Sequence, residues 1–304
     1  MAEPVSLAIP FHRGAAYLRE AVESVRMQSS EDWRLLVVDD RGGEEDVSTW
    51  LTSLADPRIR YERNPANLGM VPCWNRCLEL AETDRVTLLH GDDRLEHGYV
   101  ALMQDLCALH PQAVAFFCEA RIIDETGSDA FSLADRVKPW LRPAGGEIYA
   151  LEGEPALAAL ARGNFIMCPT LCWSRARLGK RRFDPRWRQV QDLDLTTRLL
   201  LEGERLVGSR VAAYVYRRHP DAITVHQTGS LLRFDEEIAL LDEVAVRAHA
   251  KGWGRAAKLA RRRDTVRLHL LQRAALDLAH GRLGRARREL AMAWTGRGNQ
   301  GRRV

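Results

Sequence analysis

The chain has 304 residues, of which 46% are hydrophobic and 28% are charged, and this composition is typical of a globular protein with one large domain. The sequence contains no apolar run near the roughly 18 residues that a transmembrane helix needs. Its first residues lack the basic and apolar regions of a signal peptide, and its 6 cysteines do not form a disulfide framework. We therefore expect a reduced, cytoplasmic protein and exclude membrane-spanning, collagen-like and disordered chains.

The net charge of +4 conceals an acidic body and a basic C-terminal segment. Residues 251–304 contain 15 Lys and Arg against 3 Asp and Glu, a net charge of +12, and the preceding 250 residues carry 30 against 38, a net charge of −8. A basic segment of this kind predicts contact with an anionic surface, such as phospholipid, nucleic acid or another subunit.

The first hundred residues alternate between short apolar runs and helical patterns. Strands are predicted at 5–9, 35–38, 59–61 and 86–89, with a helical pattern between each pair. The run at 35–38 is apolar on both faces, as is typical of a strand buried between two layers of helices. We therefore predict an α/β fold with a mostly parallel, twisted sheet and flanking helices.

In the rest of the chain, the predicted structure changes from mixed strands and helices to helices alone at about residue 228. A buried strand is predicted at 113–118, and the Gly and Pro residues of 127–150 predict a loop. From residue 234 onward the apolar residues recur at helical spacing, and such patterns continue to about 293. We predict an α/β body over 1–228 and a helical, basic region over 229–304.

Paired aspartates follow two of the predicted strands. Asp39 and Asp40 end the second strand, and Asp92 and Asp93 follow the fourth. Ligands of open parallel sheets bind at the carboxyl ends of the strands, and carboxylates there suit a hard divalent ion shared with a diphosphate. The alternative interpretation is that each pair simply begins a polar loop.

Several common nucleotide and hydrolase motifs are missing from the sequence. No G-x-G-x-x-G follows the first strand, and neither the phosphate-loop motif nor the G-x-S-x-G motif is present. Dinucleotide oxidoreductases, phosphate-loop ATPases and serine hydrolases are therefore disfavoured.

An ordered set of segments, covering roughly residues 4–226, resembles the inverting family 2 glycosyltransferases of the GT-A fold. In chain order these segments are VSLAIPF (5–11), LREAVESV (18–25), VVDD (37–40), NPANLG (64–69), LLHGDD (88–93), FDPRW (183–187), QDLDL (191–195) and YRRH (216–219). The resemblance implies that residues on these segments, together with Asn75 after the fourth of them, bind the nucleotide, with a uracil base expected. These residues are Pro10, Phe11, Asp39, Asp40, Asn67, Asn75 and Asp92.

The resemblance also implies a metal site and a catalytic base. Asp92 and Asp93 occupy the family's metal motif, with Asp93 expected to be the direct ligand of Mn²⁺ or Mg²⁺, and Asp192 falls at the position of the general base. An inverting displacement needs one carboxylate to deprotonate the acceptor and a cation to neutralise the leaving diphosphate. The alternative for Asp192 and Asp194 is a solvated first turn of a helix, where the dipole favours acids.

Other positions near these motifs allow two interpretations each. His90 stands where many relatives have an acid, and it either ligates the ion or packs beneath the loop. Gln191 replaces the acid that usually precedes the base, and therefore keeps an amide but lacks a charge. Arg218 and His219 either close over the diphosphate or form an exposed basic turn.

Together these features predict an inverting glycosyltransferase that moves a sugar from a nucleotide diphosphate sugar, expected to be UDP-linked, to an unidentified glycan, lipid-linked or small-molecule acceptor. The alternatives are a catalytically impaired binding protein of the same fold and a sugar-nucleotide nucleotidyltransferase. For the basic C-terminal region, packing against the body or a homodimer is favoured over peripheral contact with the inner face of a membrane. Nucleic acid binding is disfavoured, because the region lacks the interleaved aromatic residues of single-strand binders.

Overall fold

A computed structural model describes residues 3–41, 47–130, 141–220 and 228–296. These residues form a single nine-stranded sheet, in the order β3-β2-β1-β4-β8-β6-β9-β5, with β7 paired to β9. The strands are β1 (Val5–Phe11), β2 (Trp33–Asp39), β3 (Ile59–Arg63), β4 (Arg85–Leu88), β5 (Arg94–Leu95), β6 (Ala115–Ile123), β7 (Ile148–Leu151), β8 (Cys172–Ser174) and β9 (Leu206–Arg217).

Helices cover both faces of the sheet and continue into the C-terminal region. They are α1 (Ala15–Arg26), α2 (Val47–Ser53), α3 (Met70–Leu80), α4 (Tyr99–Leu109), α5 (Gly153–Arg162), α6 (Arg175–Leu178), α7 (Gln191–Leu201), α8 (Leu232–Ala250), α9 (Gly254–Arg262), α10 (Asp264–Ala279) and α11 (Leu283–Thr295), with a short 3-10 helix at Cys168–Thr170. The predicted fold class, an α/β sheet with flanking helices and a helical C-terminal region, is confirmed.

Parallel pairing brings the ends of the first four long strands to one edge. β1 pairs in parallel with β2 and β4, β2 pairs in parallel with β3, and β6 pairs in parallel with β9. Three short strands run antiparallel to their neighbours: β8 between β4 and β6, and β5 and β7 against β9. The aspartates that follow β2 and β4 therefore lie at the same edge, on either side of β1.

The sheet separates two apolar layers. Along β2, Leu35 and Val37 belong to the layer beneath α1, α2 and α4, and Leu36 and Val38 belong to the other, because successive side chains of a strand point to opposite faces. The second layer also contains residues of α3, α5 and α7 and of the four helices after residue 228. The core is therefore continuous across the predicted boundary between the body and the C-terminal region.

Part of the predicted loop at 127–150 is described. Residues 131–140 lie outside the described residues, whereas the end of the segment forms β7, which pairs with β9. Among the described residues, no helix combines the length and the apolar character that crossing a membrane requires.

Candidate active site

Asp39 lies at the end of β2 with its carboxylate largely buried. Its Oδ1 accepts a hydrogen bond from the Arg41 backbone N–H at 2.8 Å, and its Oδ2 accepts one from the Tyr61 hydroxyl at 2.7 Å. The Arg63 guanidinium is 3.3 Å from Oδ2 and remains mostly exposed. The carboxylate is thus held in place by β3 and the turn after β2, and its prediction as the base-binding residue stays untested.

The carboxylate of Asp40 accepts three hydrogen bonds from the loop that precedes α3. Its Oδ1 accepts from the Asn64 side-chain amide and from the Leu68 backbone N–H, both at 2.8 Å, and its Oδ2 accepts from the Gly69 N–H at 2.9 Å. Gly69 has a φ of +83°, a backbone conformation that glycine adopts without steric cost. These hydrogen bonds fix the conformation of the loop, and nucleotide binding by Asp40 stays a prediction.

The other residues predicted to contact the nucleotide differ in their burial and in their hydrogen bonds. Asn75 exchanges two hydrogen bonds with the backbone of Phe183, at 2.9 and 3.0 Å, which ties α3 to the segment before α7. Asn67 is exposed, and its side-chain oxygen accepts from the Gly69 N–H. Phe11 is buried in the core, and Pro10 is half-buried at the sheet edge. Of this group, Asn67 is thus the most accessible to a ligand, and Phe11 is the least.

The second aspartate pair forms a compact cluster with His90. Ligating atoms of His90, Asp92 and Asp93 all lie within 4.8 Å of one another. Asp93 is buried, and its two oxygens accept hydrogen bonds from the Tyr214 hydroxyl and the Arg217 backbone N–H, both at 2.8 Å. Burial raises the pKa of the Asp93 carboxyl well above its usual range, and the neighbouring Asp92 raises it further. Asp92 is 37% exposed and offers the more accessible oxygens of the pair.

His90 fits the role of a third ligand. Its ring lies 5.3 Å from the Trp74 ring, and its Nε2 is buried with no hydrogen-bond partner among the described residues. Burial lowers the pKa of His90, which favours the neutral imidazole that binds metal ions. Two carboxylates and one imidazole nitrogen suit Mn²⁺, so the residues present fit the expected ion.

Arg217 and His219 close one side of this cluster from the end of β9. The buried Arg217 guanidinium donates to the Asp92 carbonyl at 2.9 Å, bonds to the Glu20 carboxylate and lies 4.6 Å above the Tyr17 ring. His219 Nε2 is 3.0 Å from Asp92 Oδ2. The structure thus brings His219 to the predicted metal acids.

Arg218, between Arg217 and His219, is fixed through its backbone. Its backbone N–H donates to the carbonyl of Ile123 at 2.8 Å, which extends the pairing of β9 with β6. Its prediction as a diphosphate contact stays untested.

Asp192 lies in the first turn of α7 and is only 8% exposed. Its Oδ2 is 3.4 Å from the side-chain amide of Asn164. Burial raises the pKa of Asp192 to about 6, against the opposing effect of nearby backbone N–H groups and Asn164. The alternative of a solvated helix start is wrong for this residue, and also for Asp194, which is fully buried.

Asp194 and Gln191 are structural neighbours of Asp192. Asp194 Oδ2 forms an ion pair at 2.9 Å with Arg198 one turn along α7, and its Oδ1 has no hydrogen-bond partner among the described residues. The Gln191 amide oxygen is buried and likewise without a partner there. Asp194 is therefore neutralised by Arg198, whereas no cation forms a direct ion pair with Asp192 among the described residues.

The thiol of Cys168, in the short 3-10 helix, is affected by both Asp192 and Asp93. Burial raises the pKa of the Cys168 thiol, and both Asp192 and Asp93 raise it further. Since such effects act over short range, the thiol lies within electrostatic reach of both carboxylates. Cys168 is therefore near both the predicted base and the predicted metal site.

The C-terminal helices support both segments that hold Asp192. The buried carboxylate of Glu236, on α8, accepts from the backbone N–H groups of Arg188 and Gln189 at distances between 2.8 and 3.1 Å. A Cβ at Gly163, directly before Asn164, would lie 2.8 Å from the Thr265 side chain of α10. Neither contact was predicted, because each joins positions that are far apart in the sequence.

The sequence comparisons place the chain in a family. The family model described as "Glycosyl transferase family 2" matches residues 6–175, which is more than half of the chain. The chain belongs to glycosyl transferase family 2.

Sequence relatives of this family 2 glycosyltransferase are matched over part of their length. The uncharacterized protein y4gI of Sinorhizobium fredii is 32% identical over 127 residues, 41% of this chain and 14% of that protein. Two other relatives, at 31% and 30% identity, are matched over 29% and 32% of their length. The chain thus spans less than a third of each of these relatives.

Solved structures share the GT-A-like fold over most of both chains. Residues 1–349 of TarS from S. aureus, in complex with UDP-GlcNAc, match with a TM-score of 0.59 and 14% identity, covering 98% of this chain and 93% of that one. The mannosyltransferase PcManGT from Pyrobaculum calidifontis, in complex with GDP-Man and Mn²⁺, matches with a TM-score of 0.59 and 16% identity, covering 96% and 86%. At these identities the likeness concerns the fold.

Proposed function

We propose that this family 2 protein transfers a sugar, with inversion, from a nucleotide diphosphate sugar to an acceptor hydroxyl, with Asp192 as the general base. The observation that carries the proposal is a buried carboxyl of raised pKa at the start of α7, with the Cys168 thiol near both this carboxyl and a cluster of side chains that could bind a metal ion. A general base works best when its pKa lies near the operating pH, and a value of about 6 meets that requirement.

The transfer needs the acceptor and the leaving group on opposite sides of the sugar. On this proposal the acceptor hydroxyl gives its proton to Asp192 while its oxygen bonds to the anomeric carbon and the bond to the diphosphate breaks. Asn164 donates towards Asp192 Oδ2 and so fixes the orientation of the carboxylate. Burial of Asp192 excludes water, which would otherwise compete with the acceptor.

The leaving group lies, on this proposal, beside His90, Asp92 and Asp93. These residues would hold Mn²⁺ or Mg²⁺, and a bound divalent ion neutralises the charge that develops on a leaving diphosphate. The PcManGT complex contains Mn²⁺, which supports the same kind of ion here. His219, 3.0 Å from Asp92, is placed to add a donor to the diphosphate on the same side.

The donor is proposed to be UDP-linked. TarS, whose fold matches over nearly the whole chain, was crystallised with UDP and with UDP-GlcNAc. PcManGT was crystallised with GDP-Man, so a guanine nucleotide is the second candidate. The acceptor is proposed to be a glycan, a lipid-linked sugar or a small molecule, and the protein is proposed to act in the cytoplasm.

The test pairs activity with nucleotide binding in wild type, Asp192→Asn and the control Asp184→Asn, whose side chain is partly exposed before α7. UDP release from a panel of UDP-sugars is measured with Mn²⁺, and nucleotide binding is followed as the rise in melting temperature with UDP. We expect Asp192→Asn to lower turnover by about a thousandfold or more and to keep the UDP-dependent rise, because base removal spares the donor site. Asp184→Asn should match wild type in turnover.

Three other outcomes would change the proposal. Unchanged turnover in Asp192→Asn would remove this residue from the mechanism. Binding of UDP by the wild type without turnover of any donor would favour the catalytically impaired binding protein. A melting temperature that rises with GDP and not with UDP would replace the proposed donor class.

A further inference from the structure

The last two described helices, α10 and α11, form a hairpin with apolar side chains on its outer surface. On α10, Leu268, Leu271 and Leu278 are 65%, 40% and 49% exposed. Their spacing of three and seven residues places them on one face of the helix. The opposite face carries the buried Val266 and Leu270, so the exposed leucines point away from the body.

The partner helix repeats this arrangement. On α11, Leu283, Leu290 and Trp294 are 67%, 40% and 83% exposed, and their spacing of seven and four residues again places them on one face. We call these six side chains, three from each helix, the outer stripe. Large apolar groups that share an exposed helix face mark an interaction site more often than they occur by chance.

The unpaired charges of the α10–α11 hairpin are all positive among the described residues. Each acid of the hairpin is already paired with an arginine at 2.7 to 3.0 Å: Asp264 with Arg262, Asp277 with Arg282, and Glu289 with Arg273. Four further arginines have no acidic partner for their side chains among the described residues. These are Arg267, Arg285, Arg287 and Arg288. The uncompensated charge of the hairpin is therefore positive.

The turn of the hairpin concentrates this charge further. Gly281, Leu283 and Gly284 line an open depression there together with the side chains of Arg282, Arg285 and Arg288. The depression lies at the N-terminus of α11, where free backbone N–H groups and the helix dipole add to the positive potential. One leucine of the outer stripe, Leu283, is part of the same depression.

We propose that the α10–α11 hairpin binds the surface of an anionic lipid bilayer. The outer stripe inserts among the headgroups, and the unpaired arginines contact lipid phosphates. Apolar residues on one side of a helix with flanking Arg are the pattern of interfacial helices, and tryptophan favours the boundary between headgroups and acyl chains. The charge decides against a second copy of this chain, because symmetric pairing of the stripe would oppose arginines of like charge.

The test is co-sedimentation of the full chain with vesicles of phosphatidylcholine alone or with about 30% phosphatidylglycerol, an anionic lipid. We expect binding to the anionic vesicles and little binding to the neutral ones. Each arginine near an anionic surface contributes roughly fivefold to the partition coefficient, so the double variant Arg267→Gln with Arg287→Gln, two exposed arginines on the same helix faces as the stripe, should lose about 25-fold. Leu268→Gln and Trp294→Gln should each lose about tenfold.

Two control variants lie on exposed positions outside the hairpin. Val246→Gln, on α8, removes an apolar side chain that is 65% exposed, and Lys180→Gln removes an exposed charge of the body. Both should bind anionic vesicles as the wild type does. The melting temperature of every variant is measured alongside, and because the changed side chains are exposed it should stay close to that of wild type.

Three results would overturn the proposal. Equal binding to neutral and anionic vesicles would remove the role of the arginines. Binding unaffected by Leu268→Gln and Trp294→Gln would remove insertion of the stripe. A dimer in sedimentation velocity that Leu268→Gln dissociates, with no vesicle binding, would assign the stripe to a second copy of the chain. None of these results depends on the proposed sugar transfer.

Discussion

Replacing the proposed base by its amide should stabilise the fold while it abolishes turnover. Asp192 is buried at the start of α7 with no direct ion-pair partner among the described residues, and burial raises its pKa from 3.8 to about 6. A carboxylate in this position costs folding free energy whenever it is charged. The side-chain amide of the variant Asp192→Asn would keep the size and one acceptor oxygen of the carboxylate without that cost.

The magnitude follows from the difference between the two pKa values. A rise from 3.8 to about 6 corresponds to about 3 kcal/mol of differential stability. Because the folded state holds the proton more tightly than the unfolded chain, this cost appears as the pH rises above about 3.8 and is complete above about 6. The amide gives up roughly 1 kcal/mol in weaker hydrogen bonds, which leaves about 2 kcal/mol of net stabilisation at pH 7.5.

The assay is the melting temperature of both proteins between pH 3.5 and pH 8. An unfolding entropy of about 0.6 kcal/mol/K for a chain of this length converts 2 kcal/mol into roughly 3 °C. The variant should melt about 3 °C higher at pH 7.5, and this advantage should disappear near pH 3.5. A variant that melts lower at pH 7.5, or differs by the same amount at every pH, would show that the Asp192 carboxylate is not disfavoured in the folded state.

Three other predictions concern the same site. Glu236→Ala leaves two buried N–H groups without an acceptor and should lower the melting temperature by about 3–5 °C. The control Glu243→Ala, on the same helix, breaks only exposed ion pairs and should lower the melting temperature by less than about 2 °C. Equal effects of the two variants would refute the support of α7 by α8. Turnover of wild type should rise with pH to a plateau above about 6, since Asp192 must be deprotonated to accept a proton, and a flat profile from pH 5 to 8 would contradict this. Asp92→Asn should raise the Mn²⁺ concentration for half-maximal turnover about tenfold or more, and an unchanged Mn²⁺ titration would remove Asp92 from the ion site.

Much of the body of the fold was predictable from the sequence because its signals are local. The run at 35–38 is apolar on both faces and forms part of the buried β2, and the pattern from 234 to 248 forms α8. Four strands were not predicted: β9, which has twelve residues, and β5, β7 and β8, which have only two to four. Runs this short carry no periodicity, and pairing with distant strands decides their structure.

The acidic residues of the candidate site could be predicted from the sequence, whereas their hydrogen-bond partners could not. The position of Asp93 was visible in the sequence, whereas its hydrogen bond to Tyr214 joins residues 121 positions apart. The same applies to Asn164 beside Asp192 and to Glu236 beneath α7. The hydrogen bonds of Asp40 with Asn64 and of Asn75 with Phe183 were not visible in the sequence either, since they join residues 24 and 108 positions apart.

A side chain at Gly163 would meet Thr265, so the terminal helices pack directly against the segment that holds Asn164. No larger residue fits at 163 without displacing Leu141 or Thr265, each within 2.8 Å of the Cβ position. A tilt or slide of α10 is therefore transmitted directly to Asn164 and, through it, to Asp192. On the proposed mechanism, substitutions at the far end of the chain would in this way change turnover through the orientation of Asp192, with the proposed nucleotide site left unchanged.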